Sequence, residues 1–155
     1  NELGDECSIC RAKFDTTSHG LHKVVEAGNA YAFTQFESIF ARKAFPSFDE
    51  PGFKTPFDIS LLIPNSDVGI SNAPEASSVE LESGMRRITF AQSKPLPTYL
   101  VAFAVGPLDE VKGADVMPSK HRVKPIPLRA FAVKGKGVEL TFALENTAAI
   151  VLALE

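Results

Sequence analysis

Apolar and polar residues alternate with period two along most of this chain. In "FDISLLIP" the alternation puts Phe57, Ile59, Leu61 and Ile63 on one face and Asp58 and Ser60 on the other, as a half-buried strand requires. "RRITFAQ" repeats the pattern with Ile88 and Phe90. "TYLVAFAVG" has Tyr99, Val101, Phe103 and Val105 on one face and small or apolar residues on the other, which predicts a strand buried on both sides. "LHKVVE", "YAFTQFE" and "PLRAFAV" bring the expectation to at least six strands. Turn chemistry separates them in "EAGN", "PNSD", "NAPEAS", "ESG" and "SKPLP". Four of the 11 prolines, Pro64, Pro74, Pro95 and Pro97, fall at these breaks, where a missing N–H does no harm.

The pattern changes over the last residues. "GVELTFALENTAAIVLALE" contains no Pro, is rich in Ala, Leu and Glu, and follows two glycines. Val138, Phe142, Glu145, Ala149 and Leu152 recur at helical spacing, and from Ala148 to Leu154 the segment is apolar almost all round. Such a helix normally lies in a core between layers. It reaches Glu155 without a cap or stop signal, so the expectation is a buried helix laid bare where the chain is cut. The pattern as a whole predicts a β-rich domain followed by the opening of a second domain that contains helix.

Composition narrows the function classes. With 155 residues, one domain of ordinary size is expected. The net charge of −3 leaves no basic field for nucleic acid, and no apolar run approaches the roughly 20 residues of a membrane span, so neither partner is expected. The opening "NELGDECSIC" lacks the basic and apolar regions of a signal peptide and has no initiator Met, which suggests a fragment of a longer, cytoplasmic protein.

Candidate chemistry is sparse. Cys7, Cys10, His19 and His22 form C-x2-C-x8-H-x2-H, but both the central gap and the histidine spacing are too short for a zinc finger. His121, in the basic "SKHRVKP", reads as a solvated side chain. G-x-S-x-G, a glycine-rich phosphate loop and H-E-x-x-H are all absent, so no catalytic residue is assigned in this chain. In "YAFTQFE", period two puts Tyr31, Phe33, Gln35 and Glu37 on one face and Ala32, Thr34 and Phe36 on the other. The pattern fits a strand end whose polar face meets solvent. It also fits a small polar site able to hold a free amine, since a carboxylate in a water-poor cleft attracts an ammonium far more strongly than in bulk water. The following "SIFARKAFP" predicts one helical turn with Ile39, Phe40 and Phe45 inward and Arg42 and Lys43 outward. "DEPGF" makes a tight turn, and Asp49 or Glu50 stands within reach of Arg42 or Lys43. An exposed pair of that kind contributes only about 0–1 kcal/mol.

"TQFESIFARKAFPSFDEPGFKTPFDISLLIP", "ISNAPEAS" and "LPTYLVAFAVGPLDEV", in that order and spacing, resemble the N-terminal domain of aminopeptidase N-type zinc metallopeptidases. The likeness is close from about residue 20 to 111 and looser through "LRAFAV" and the final helix. It implies a mainly β fold: an antiparallel, saddle-like β-sandwich in residues 1–110, then the start of a thermolysin-like catalytic domain in residues 111–155. It implies a zinc-dependent aminopeptidase as the parent, with zinc held outside this chain and no metal site within it. It further implies that Gln35 lines the first specificity pocket and that Glu37 binds the α-amine of the substrate. Ser47 stands where that family often has Cys. The partners it implies are a peptide N-terminus and the missing catalytic domain. Separately, the apolar surface that a cut domain exposes along residues 150–154 predicts self-association. The alternative is a non-catalytic interaction scaffold of the same fold, and a further one is a separate Cys/His metal module at the N-terminus.

Overall fold

A computed structural model describes residues 13–155. Two compact units divide the chain, Asn1–Val105 and Gly106–Glu155.

In the first unit a four-stranded sheet has the order β1-β2-β9-β5, formed by Gly20–Glu26, Asn29–Gln35, Phe103–Gly106 and Val68–Ser71. A three-stranded sheet has the order β4-β7-β6, from Ser60–Pro64, Met85–Phe90 and Glu75–Glu80. The short β3 (Lys54–Thr55) pairs with β8 (Leu96–Pro97). The ladders β1–β2, β2–β9, β3–β8, β4–β7 and β6–β7 are all antiparallel, so the mainly β class expected from the alternation is the one observed. The β1–β2 hairpin closes on Ala27 and Gly28 at φ 46° and 77°, the two positive values that a type I′ turn demands.

Two apolar clusters hold this unit together. Ile63, Ile88 and Phe90 form one, with Ile59, Leu61, Ala73 and Val105 packed against it. Phe36, Ala41 and Val101 form the other, flanked by Ala44, Phe45, Phe57, Ile59, Leu96 and Phe103. The predicted inward set Phe57, Ile59, Leu61 and Ile63 is therefore in the core, although the regular strand begins only at Ser60.

Three expectations change. "TYLVAFAVG" is not one strand: Thr98–Leu100 is a 3-10 turn, closed by the Val101 N–H on the Thr98 carbonyl at 3.0 Å, and β9 starts at Phe103. Between them, side chains replace the ladder. The Asn72 amide donates to the Leu100 carbonyl at 2.8 Å, and its oxygen accepts from the Ala102 N–H at 2.7 Å. Second, the latter half of "NAPEAS" belongs to β6, whose six residues are all exposed and which pairs with β7 through its backbone. Third, Ile39 is exposed, and Ala41, at 0% exposure, takes the inward position on the turn.

The second unit is built on the antiparallel pair β10 (Leu108–Lys112) and β11 (Arg129–Val133). The expected division between residues 110 and 111 falls inside β10. Val116 is buried and bridges Ile126. Arg122 organises the basic loop, donating to the carbonyls of Val116, Met117 and Lys124 and to Glu155 Oε1. Ser119 and then Arg122 hold Glu155 below the ordinary carboxylate range. Asp109 Oδ2 accepts from the N–H groups of Gly135 and Gly137 at 2.8 and 3.1 Å, capping a 3-10 turn, Gly137–Leu140, that runs into α1, Thr141–Leu154.

No residue of α1 is fully buried. Leu144, Thr147, Ala148 and Val151 form its half-buried stripe, and a Cβ added at Gly113 would meet a Leu144 methyl at 3.0 Å. The stripe expected from sequence lies elsewhere: Val138 and Phe142 are 80% and 77% exposed. A helix apolar nearly all round does not specify its inner face, and the gap at Gly113 does. Among the described residues, Gly137–Leu154 is the one helical stretch long and apolar enough to cross a membrane by length and composition, although its sequence was read as containing no run of that length.

Candidate functional site

The segment that carries Gln35 and Glu37 leaves β2 at the point where its ladder ends. Gln35 is the last residue of the strand and faces Gly20 of β1. Gly20 has φ +71°, and its hydrogen lies where a Cβ would stand 3.5 Å from the Lys43 side chain. Gln35 and Glu37 are exposed and Phe36 between them is 1% exposed, so the alternation of the strand persists past its final hydrogen bond. Among the described residues neither polar side chain has a hydrogen bond or ion pair. Both are thus presented outward from a fixed base, the amide and the carboxylate two residues apart.

That base is the buried Phe36 ring. It meets Phe45 and Phe103 edge-on, with centroids 5.8 and 6.4 Å apart, a favoured aromatic geometry. Behind it the chain makes a closed loop. The Phe40 N–H donates to the Phe36 carbonyl at 2.9 Å, and the Glu37–Ser38 peptide within the loop is cis. The loop feeds the 3-10 turn Ala41–Lys43.

Asp49 fastens this turn. Its Oδ2 accepts from the Arg42 N–H and from Arg42 Nε, both at 3.1 Å, and its Oδ1 accepts from the Thr98 hydroxyl at 2.6 Å. Arg42 Nη2 also donates to the Asp49 carbonyl at 3.0 Å. The Asp49 side chain is 1% exposed, against 54% for Arg42. Burial alone pushes the Asp49 carboxyl up, but the Thr98 hydroxyl, the Arg42 amide and the guanidinium outweigh it and hold it below the ordinary carboxylate range. The modest value expected for an exposed pair does not apply here: the Asp49 partner is in the core, where leaving a charge unpaired is costly. Lys43 goes elsewhere, to Asp15 at 2.8 Å, and it leads the Thr17 hydroxyl and amide in holding that carboxyl well below its usual range.

The profile of the Peptidase M1 N-terminal domain family matches residues 10–100. The chain belongs to the peptidase M1 N-terminal domain family. It is 38% identical over 115 residues to a puromycin-sensitive aminopeptidase of Caenorhabditis elegans, covering 74% of this chain and 11% of that protein. Aminopeptidase 2 of Candida albicans is 38% identical over 104 residues, 67% of this chain and 10% of the relative. Aminopeptidase N of Acetobacter pasteurianus is 38% identical over 86 residues, 55% and 24%. The chain thus spans about a tenth to a quarter of the length of these relatives.

This M1 N-terminal domain chain places both sequence-predicted site residues within the family match, on one exposed edge. Neither lines the cavity of about 400 Å³ walled by Phe45, Phe48, Phe53 and Phe57 with Lys54. Nor does either line the one of about 220 Å³ against Phe33, Thr34, Asn72 and Phe103. Of the suggested Cys/His set, Cys7 and Cys10 lie outside the described residues. His19 and His22 have different ring neighbours: the first lies tilted against Phe40 at 4.4 Å between centroids, the second stands beside Phe33 at 6.2 Å. Among the described residues no group of three His, Cys, Asp or Glu side chains could hold a metal, so zinc has no fitting ligand set there. Sequence reasoning missed Thr98 and the burial of Asp49; the short spacing of Arg42 from Asp49 signals the pair but not where it sits.

Proposed function

We propose that this chain is part of a zinc-dependent aminopeptidase and supplies recognition of the substrate's free N-terminus. In this reading residues 1–110 are part of the β domain and residues 111–155 open the thermolysin-like catalytic domain. Gln35 lines the first specificity pocket, and Glu37 pairs with the α-ammonium. The observation that carries the proposal is the family match over residues 10–100, which contains the T-Q-F-E segment and is shared with relatives that are aminopeptidases. In this reading the contribution of Gln35 and Glu37 is to bind and orient the substrate, and the zinc is held by the remainder of the enzyme.

The physical demand is simple. An exopeptidase must distinguish a terminal ammonium from an internal amide, and a fixed carboxylate does so by charge. An exposed Glu37 is weak alone, because two charges 4 Å apart gain only about 1 kcal/mol in bulk water. Covering the site with the rest of the peptidase and the substrate lowers the local dielectric, and the same pair then reaches about 4 kcal/mol. The partners in this reading are therefore a peptide N-terminus and the remainder of the enzyme.

The test uses the whole peptidase. Glu37→Gln keeps the size and loses the charge, and should raise KM for a substrate with a free α-amine by about tenfold or more, the equivalent of about 1.4 kcal/mol. Kinetics indistinguishable from wild type would remove the role.

A further inference from the structure

We infer that Asp49 is a positioning residue for Glu37, setting the direction of that carboxylate through the Ala41–Lys43 turn. The inference rests on the reading of Glu37 as the amine-binding group. Asp49 itself is 3% exposed, too buried to meet a substrate directly.

The connection is a short series of contacts. Glu37 sits at the first position of a loop whose two ends are Phe36 and Phe40, joined by the 2.9 Å bond from the Phe40 N–H to the Phe36 carbonyl. The Phe36 end is fixed by packing in the cluster with Ala41 and Val101. The far end continues into the 3-10 turn, whose first N–H groups have no partner inside the turn. No side chain at the turn's own N-cap supplies one. Asp49 does, from seven residues on, accepting the Arg42 N–H at 3.1 Å. A negative charge at that end of a turn is also favoured by its dipole.

Thr98 completes the device. Its hydroxyl, 2.6 Å from Oδ1, ties the Asp49 carboxylate to the segment that leads into Val101, the third member of the same cluster. The carboxylate is held from two sides, and each oxygen has a different task. Oδ1 anchors Asp49 to the core, and Oδ2 fixes the turn. Arg42 closes the arrangement from outside with its guanidinium, which is half exposed and adds the Nη2 bond to the Asp49 carbonyl. Loss of the Oδ2 bond frees the turn to rotate, and the loop on which Glu37 rides moves with it. A shift of about 1 Å in a positioned group can cost up to about a hundredfold, and because Glu37 binds the ammonium and not the reacting bond, the loss falls on KM.

A double-mutant cycle in the whole peptidase tests this, with KM and kcat measured for a substrate with a free α-amine. Asp49→Asn should raise KM about as much as Glu37→Gln and leave kcat nearly unchanged. Added to Glu37→Gln it should raise KM little further, because the charge it positions is already gone. Near-UV circular dichroism at the assay temperature reports that the variant is folded. If Asp49→Asn does not fold, Thr98→Val, which keeps the shape and removes the bond to Oδ1, takes its place in the same cycle with the same non-additive outcome expected. An Asp49→Asn or Thr98→Val effect that multiplies fully with that of Glu37→Gln, or no effect on KM, overturns the inference while leaving the role of Glu37 standing. A Glu37→Gln enzyme with wild-type kinetics instead overturns the reading on which the inference rests.

Discussion

The two units of this chain solve the problem of burial differently. The first buries Tyr31, Phe36, Ala41, Ile63, Ile88, Phe90 and Val101, drawn from both of its larger sheets and the turn between them. The second buries one large apolar side chain, Val116, and carries a 14-residue helix with none. The difference lies in pattern rather than in apolar content. Alternation gives strands such as β4 and β7 one face to hide, and those faces meet in a shared cluster. The helix of the second unit is apolar on every side, and one half-buried stripe leaves the rest in water.

Replacing one phenylalanine in each unit breaks this comparison most directly. Phe36→Ala removes a ring that is 1% exposed and packed edge-on against two others, and should destabilise the first unit by about 3–5 kcal/mol. Phe142→Ala removes a ring that is 77% exposed and should change stability by no more than about 0.5 kcal/mol. The two readouts separate naturally. Both tyrosines, Tyr31 and Tyr99, lie in the first unit, so tyrosine fluorescence follows it in urea while the far-UV helical signal follows α1. Equal losses for the two variants would mean that the contrast in burial has no energetic counterpart.

The next effect is smaller and depends on pH. Asp49 is a buried charge of the first unit, and Asp49→Asn should cost about 1.5–3 kcal/mol at neutral pH, the range for hydrogen bonds to a charged group. Its folded carboxyl lies below the ordinary value of 3.8, so its stabilisation is present in full above that value and is lost as pH falls through the folded one. The gap in stability between wild type and Asp49→Asn should therefore be constant from pH 7 to about 5 and narrow in more acid solution. Asp15 is lowered as well, which is why the difference between the two proteins, and not the slope of either alone, isolates Asp49. A gap that stays constant into acid would show that the buried carboxylate is not stabilised in its charged form.

How much of this was legible in the sequence follows the same division. Ile63, Ile88 and Phe90 were read correctly because alternation is itself the physical demand of a one-sided strand. β6 was missed because Glu75 to Glu80 bury nothing, and its place is set by backbone bonds to β7 that no side-chain pattern records. Thr98–Leu100 was read as strand because its apolar residues keep the alternation, whereas Asn72 and Asp49, distant in sequence, hold it out of the ladder. Gln35 and Glu37 were visible as a polar pair, but only the family likeness gave them a task. Their support is the least legible part. The sequence shows that Arg42 and Asp49 carry opposite charges and cannot show that one of them is inside.

The smallest effect on folding, and the one that speaks to the second unit alone, concerns the outer face of α1. Phe142, Ile150 and Leu154 are 77%, 56% and 83% exposed on the same helix, and Gly137–Leu154 as a whole is apolar enough to pass for a membrane span. A contiguous apolar surface of this kind is rarely left in water by a monomeric protein. The chain is therefore expected to self-associate as its concentration rises, with sedimentation velocity showing species heavier than one copy. Ile150→Lys together with Leu154→Lys adds two charges where nothing is buried. Folding stability should move by no more than about 0.5 kcal/mol, while the association should be lost. Association that persists in the double variant would place the contact elsewhere, with the exposed Phe48 and Phe53 pair of the first unit as the next surface to change. A protein that stays a single copy at every concentration would show that the helix face is tolerated in water, and that the contrast between the units ends at their cores.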